Sequence, residues 1–261
     1  IDCGASMIKL ACTEDEKVIY TDTREHFGSP FRALGAMVRE FSDTHPECAD
    51  APTALCGSCV PDIVNKDCII SDIPAITEGA KLLCPEAMSV IDIGSRSARY
   101  IVRTGDATPP LFSVNEQCAG GTGSFFENQM SRLDMKIEDY SEIVSKAVNI
   151  PRISGRCAVF AKTDIIHRQQ EGSDISDILL GLCYAMIKNF KAVIVKNLPV
   201  KKPLMLCGGT ALNIGVIRAV KDVFGLSDSE LIIPEHFRYA SALCAASKAG
   251  DSLTLNKLKK L

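Results

Sequence analysis

The chain has almost no excess of charge: 29 lysines and arginines face 32 aspartates and glutamates, a net charge of −3 over 261 residues. No basic face is implied, which excludes nucleic acid as a main partner. No apolar run approaches the ~18 residues of a membrane-spanning helix, and no signal peptide opens the chain. A cytoplasmic protein with no membrane partner is expected. The first residue is Ile1, inside a segment that reads as a strand and without an initiating Met, so a short missing start or a longer parent chain is expected. No repeat with a period of ~20–50 residues is visible. Histidines are few: His26, His45, His167 and His236 are scattered and suggest no Ser–His–Asp set, so each is read as a surface or core residue.

Cysteine is the abundant exception, with twelve residues. That share lies below the ~8–10% of small disulfide scaffolds, in a chain long enough to bury a full core. Most are read as small buried hydrophobes of a reducing compartment. Iron–sulfur chemistry fits the same usage, and composition does not choose between the two. Strand-like and helix-like segments alternate, the pattern of an α/β fold. Residues 1–11 read as one strand with a hairpin partner at 18–22, and 89–93 with 98–104 as a strand–turn–strand unit. Helical spacing marks 30–41, with Phe31, Leu34, Met37, Val38 and Phe41 on one face, and also 120–133, 156–171 and a long stretch at 174–197. A strand at 203–207 leads through Gly208-Gly209 into a helix at 213–224. Ile1-Asp2-Cys3-Gly4 and Ile91-Asp92-Ile93-Gly94 share an I-D-x-G core, so two related halves facing a cleft are expected, with domains at 1–88 plus 238–261 and at 89–237.

An Asp at a strand end followed by x-Gly allows a tight turn that exposes backbone N–H groups. Such a nest holds phosphate oxygens while the carboxylate holds Mg²⁺ through water. Lys9 is placed to reach the same anion. Leu206-Cys207-Gly208-Gly209-Thr210-Ala211 lets backbone approach a ring or ribose and offers a helix start to an anion. Together these elements suggest a nucleotide clamp of the actin, sugar-kinase and Hsp70 type. Cys118 precedes the helix start Gly120-Gly121-Thr122-Gly123, and Cys157 opens a second helix. Helix-start amides stabilise a thiolate or an anionic cluster. Two cysteines are too few for a [4Fe–4S] site, which takes four thiolates, although a two-fold dimer supplies four. Two buried helix-start cysteines remain the alternative.

Cys118-Ala119-Gly120-Gly121-Thr122-Gly123, followed by Phe125 and Phe126, closely resembles the signature of the activators of 2-hydroxyacyl-CoA dehydratases and the ATPase subunits of benzoyl-CoA reductases. The similarity runs in order through essentially the whole chain. It implies the two-domain acetate- and sugar-kinase/Hsp70/actin fold. It also implies a homodimer whose protomers share one [4Fe–4S] cluster on Cys118 and Cys157 of each. ATP/ADP and Mg²⁺ are expected at Asp2, Gly4, Ser6, Lys9, Asp92, Gly94, Ser95, Gly120, Gly121, Thr122, Gly208, Gly209, Thr210, Ala211 and Asn213. The catalytic positions are assigned to Asp2, Asp92 and Arg96. A ferredoxin- or flavodoxin-type donor would supply the electron, and a CoA-thioester dehydratase or reductase would receive it. The chain departs from the pattern at Ser95-Arg96-Ser97, where a Gly, an amide and an acid are usual, and at Ala5, where a hydroxyl is usual. A degenerate relative that binds nucleotide without hydrolysis or electron transfer is therefore the alternative. Cys56-Gly57-Ser58-Cys59, with no second pair at zinc spacing, is read as structural. Asp174 and Asp177 are read as helix-start acids, and the basic tail 257–260 as a solvated terminus.

Overall fold

The computed structural model describes residues 1–62, 64–104, 108–115, 121–154 and 158–261, with backbone only at Ala158 and Val159. Two compact units are present: Ile1–Pro85 with Arg238–Leu261, here unit 1, and Glu86–Phe237, here unit 2. Unit 1 opens with β1 (Asp2–Cys3), β2 (Met7–Glu14), β3 (Lys17–Glu25), α1 (Pro30–Thr44), β4 (Pro52–Thr53), β5 (Leu55–Cys56), β6 (Ile69–Ile70) and α2 (Asp72–Leu83). Unit 2 follows with β7 (Ser89–Ile93), β8 (Ala98–Val102), β9 (Leu111–Val114), α3 (Gly123–Arg132), α4 (Tyr140–Ser145), α5 (Ala158–Gln170), α6 (Ile175–Phe190), β10 (Leu204–Cys207), α7 (Ile214–Phe224) and β11 (Leu231–Ile232). The chain then returns to unit 1 as α8 (Ala240–Ser247), β12 (Gly250–Thr254) and α9 (Leu255–Leu258).

The two main sheets have one topology. Unit 1 runs β3-β2-β1-β5-β6 and unit 2 runs β9-β8-β7-β10-β11. In each, the central strand pairs antiparallel with the next strand in sequence and parallel with one reached much later. The weak I-D-x-G duplication therefore marks the centre of two copies of one sheet. Residues 1–11 are not a single strand. The Gly4 amide donates to the Met7 carbonyl at 3.0 Å and reverses the chain, so β1 and β2 form a hairpin.

Helix α1 starts with Pro30, whose missing N–H costs nothing in a first turn. Leu34, Met37, Val38 and Phe41 face the unit 1 core, while Phe31 is 45% exposed, one turn too early to reach it. Helix α6 is apolar around its circumference and fills the centre of unit 2 with Leu179, Leu182, Met186, Ile187 and Phe190. Contrary to the expectation that no apolar run approaches spanning length, the segment Ile175–Val195 is long and apolar enough to cross a membrane, yet 72% of its apolar window is buried inside the protein. The expected single helix at 174–197 is shorter: α6 ends at Phe190, a π turn covers Lys191–Val195, and Lys196 at φ 51° stops it.

Asp174 caps α6, its carboxylate accepting from the Ser176 amide at 2.8 Å and hydroxyl at 2.6 Å. Asp177 does something else: its buried carboxylate accepts from Val148 N at 2.7 Å, Asn149 N at 2.8 Å and Asn149 Nδ2 at 2.9 Å, pinning that loop to α6. Burial alone would raise its pKa, but these three donors outweigh it and hold the group below its ordinary 3.8. A depressed folded pKa stabilises above the unfolded value and is lost as pH falls through the folded one. Asp177→Asn is thus expected to cost about 1–3 kcal/mol at pH 7. The gap from the native chain should close in denaturant titrations below pH 3.8, so a gap independent of pH would refute this role.

Candidate functional site

Each sheet ends in the same constellation. In unit 1, Asp2 sits opposite Lys9 in the β1–β2 ladder, with Nζ 3.0 Å from Oδ2. In unit 2, Asp92 sits opposite Arg99 in the β7–β8 ladder, with Nη1 2.6 Å from Oδ2. All four side chains are less than one-fifth exposed. Seven residues after each strand-end Asp stands a cation, because a two-strand hairpin with a short turn returns to the same rung at that spacing. Lys9 was legible as a candidate. Arg99 was missed in favour of Arg96, which is exposed within the turn. The signal that finds Arg99 is the D-x₆-K/R spacing shared by both halves.

The turns also match. Gly4 N donates to Met7 O at 3.0 Å, and Gly94 N donates to Ser97 O at 2.8 Å. In unit 1 the turn is buckled by His26, read from the sequence as a surface or core residue and buried in the structure. Its Nδ1 accepts from Gly28 N at 3.2 Å, which leaves Nε2 to donate to Gly4 O at 3.2 Å. The Ser6 carbonyl accepts from His26 N at 3.1 Å. In unit 2 the turn is seated on α3 instead. Gly123 N donates to Gly94 O and Ser124 N to Ser95 O, both at 2.8 Å. The Ser95 hydroxyl donates to the Glu127 carboxylate at 3.2 Å. Gly121 and Thr122 precede this contact, with Thr122 buried and its hydroxyl 3.0 Å from that of Ser124.

A Cys-Gly step completes each copy on the strand parallel to the Asp strand. Cys56 Sγ donates to Ile1 O at 3.7 Å and Cys207 Sγ to Ile91 O at 3.5 Å. Cys56 is fully buried, and burial pushes its thiol well above its ordinary pKa. Cys56-Gly57 is thus the unit 1 counterpart of Cys207-Gly208, which accounts for half of the C-x-x-C. Gly57 and Gly208 both have positive φ, 100° and 86°. A Cβ at either would overlap the carbonyl oxygen of the residue after the Asp, Cys3 or Ile93. After Gly208, Thr210 Oγ1 donates to Ile93 O at 3.1 Å and Ala211 N to Gly208 O at 3.2 Å. Gly209 is exposed, with open space where a Cβ would stand. Asn213 is engaged as the cap of α7, accepting from Gly215 N at 2.8 Å and Val216 N at 3.4 Å.

Unit 2 therefore brings Asp92, Gly94, Ser95, Thr122, Gly208 and Thr210 onto connected backbone, while Asp2, Gly4, Ser6 and Lys9 gather in unit 1. Cys118, Cys157 and Gly120 lie outside the described residues. Among the described residues no group of three or more His, Cys, Asp or Glu is arranged to hold a metal ion.

The sequence profile of the BadF/BadG/BcrA/BcrD ATPase family matches residues 1–238. The chain belongs to that family. It is 29% identical over 182 residues to the 2-hydroxyisocaproyl-CoA dehydratase activator of Clostridioides difficile, covering 70% of this chain and 67% of that one. It is 26% identical over 251 residues to the (R)-2-hydroxyglutaryl-CoA dehydratase activating ATPase of Acidaminococcus fermentans, covering 94% of both. The solved structure of the Clostridium difficile activator with bound ADPNP superposes with a TM-score of 0.84 at 23% identity, over 99% of this chain and 94% of that one. The fold is the actin-like ATPase fold, as the sequence led us to expect. The BadF/BadG/BcrA/BcrD match spans both Asp–cation hairpins, Cys118, Cys157 and the 208–213 turn.

Proposed function

We propose that this chain is an ATP-dependent [4Fe–4S] activator, a homodimer that delivers a low-potential electron to a CoA-thioester dehydratase or reductase. The observation that carries the reading is the seating of α3. Its first amides, on Gly123 and Ser124, bond the 94–97 turn, and the Cys118-Ala119-Gly120-Gly121-Thr122 run leads directly into them. Contacts made at the turn are thus transmitted to the helix start behind Cys118 through backbone hydrogen bonds, without a flexible side-chain relay.

The residues present suit a magnesium nucleotide. Gly57 and Gly208, both at positive φ, let the chain pass close against the carbonyl that follows each Asp, where a Cβ would overlap backbone. Asp2 and Asp92 each offer, within their own unit, a carboxylate suited to a hydrated divalent cation. Lys9 and Arg99 supply cations that bond those carboxylates and are suited to bonding phosphate oxygens when these enter. The cluster, held by Cys118 and Cys157 of both protomers, would supply one-electron storage at low potential.

The test is anaerobic purification with iron, sulfide and phosphate-release assays on one preparation. About two irons per chain are expected, since four are shared by two chains, together with turnover of ATP. A colourless, iron-free preparation counts against the activator. One observation favours the nucleotide-binding alternative: Arg96 stands exposed in the turn where a water-orienting amide is usual. If that alternative holds, ATP turnover is absent in the native chain and appears with Arg96→Gln.

A further inference from the structure

We infer that His26 is a positioning residue of the nucleotide site: a neutral imidazole, protonated on Nε2, that holds the carbonyl of Gly4 and so sets the β1–β2 turn for a phosphate group. The inference rests on the reading of that turn as a phosphate turn and adds the residue that shapes it.

Two bonds fix the state of the ring. A backbone amide only donates and a backbone carbonyl only accepts. Gly28 N, 3.2 Å from Nδ1, therefore requires a lone pair there, and Gly4 O, 3.2 Å from Nε2, requires a proton there. Only the neutral ring protonated on Nε2 meets both demands. The other neutral form sets N–H against N–H at Gly28 and lone pair against lone pair at Gly4. The charged ring sets N–H against N–H at Gly28. His26 is only 7% exposed, so bulk water does not replace either partner.

The backbone of the same residue grips the other end of the turn. His26 N donates to Ser6 O at 3.1 Å, and Ser29 N donates to His26 O at 2.7 Å. Gly4 O and Ser6 O, the carbonyls of the two residues flanking Ala5, are thus both tied to one residue. In a planar trans peptide the N–H points opposite to the C=O. With the Gly4 carbonyl turned onto the His26 ring, the Ala5 N–H faces away from it. Ala5 has no side-chain donor, so this amide is what the residue offers an anion.

Unit 2 anchors the same carbonyl by another route. In both units a helix follows the third strand of the sheet, α1 after β3 and α3 after β9. The first residue of α3, Gly123, donates its amide at 2.8 Å to Gly94 O, the counterpart of Gly4 O. The first residue of α1 is Pro30, which has no N–H to give. His26, in the connection from β3 to α1, supplies the donor instead. Two copies of one sheet tie the same oxygen with unrelated donors, so anchoring that oxygen is the requirement they share.

Calorimetric titration of the full chain with magnesium ADP tests this on three variants. His26→Gln keeps a donor near the position of Nε2 without the acceptor for Gly28. His26→Asn keeps an acceptor near Nδ1 without the donor, and His26→Leu keeps neither. Affinity should follow the donor. His26→Gln is expected within about threefold of the native chain, and His26→Asn and His26→Leu about tenfold weaker, the loss of one hydrogen bond. A merely structural role has affinity follow melting temperature instead, with Gln and Asn, each keeping one bond, suffering alike. Nitrogen-15 spectra of the histidine rings in slightly alkaline solution, with His26 assigned by the signal missing in His26→Gln, should show a neutral ring protonated on Nε2. If His26→Leu fails to fold, the Gln–Asn comparison and the ring spectrum decide. Equal affinity of His26→Leu and the native chain, equal losses in the Gln and Asn variants, or a ring protonated on Nδ1 overturns the inference and leaves the nucleotide reading standing. A native chain that binds no magnesium ADP overturns the nucleotide reading itself, and this inference with it.

Discussion

Gly208→Ala is expected to lower stability by about 3 kcal/mol and to weaken nucleotide binding more than tenfold. Gly208 holds φ 86°, ψ 169°, a region that L-residues essentially never occupy, at a cost of about 1–3 kcal/mol. The methyl group would also overlap the Ile93 carbonyl oxygen and stand 2.8 Å from Asp92 Oδ1. Neither neighbour can retreat cheaply, because the β10–β7 ladder pairs Cys207 with Asp92 and fixes both backbones. Overpacking of this kind costs about 1–3 kcal/mol more. For a protein of this size such a loss lowers Tm by roughly 6–12 °C. Relief can come only by pushing Asp92 or the strand end out of register, which moves the carboxylate and the turn together. Gly209→Ala is the control: open space surrounds its Cβ position, so stability should change by less than about 0.5 kcal/mol. Calorimetry and titration with ADP read both variants. A Gly208→Ala chain that melts with the native one removes the steric argument for this close approach.

The legibility of the sequence follows the range of the interactions involved. The apolar stripe of α6 and the Gly turn before α7 are local patterns and could be read directly. So could the I-D-x-G pair, because a strand, a carboxylate and a turn are written in consecutive residues. Residues 1–11 misled because apolar residues recur along the whole run, and only the Gly4 turn, not hydrophobicity, divides it. Arg99 was passed over because its partnership with Asp92 is a cross-strand contact, and Arg96 stood closer in sequence to the motif. The equivalence of Cys56-Gly57 with Cys207-Gly208 was hidden more deeply. The first lies 54 residues beyond its Asp and the second 115 beyond, since 56 − 2 = 54 and 207 − 92 = 115. Only the common strand order reveals that both occupy the parallel neighbour of the Asp strand. The role of Asp177 was likewise tertiary, fixed by the 148–149 loop rather than by its own helix.

Cys118→Ala is expected to remove essentially all iron, not half. Under the proposed arrangement a two-fold axis doubles every change, so one substitution takes away two of four thiolates. A [4Fe–4S] cluster left with two protein ligands does not persist. Cys157→Ala should give the same result for the same reason. Substitutions elsewhere provide the contrast. Cys207→Ala and Cys183→Ala remove sulfurs that are fully buried and hydrogen-bonded inside unit 2. They should cost about 1–2 kcal/mol through lost packing, with iron retained. Cys59→Ala, in the C-x-x-C, should keep iron as well. The Cys118→Ala chain should still bind ADP within about twofold of the native affinity, because Gly208, Thr210 and the Asp92–Arg99 pair are held by their own hydrogen bonds. Iron and sulfide analysis under anaerobic conditions, beside ADP titration, separates a lost cluster from a lost fold. Iron kept by Cys118→Ala would reassign the ligands, whereas iron and ADP binding lost together would make Cys118 a structural residue of the α3 start.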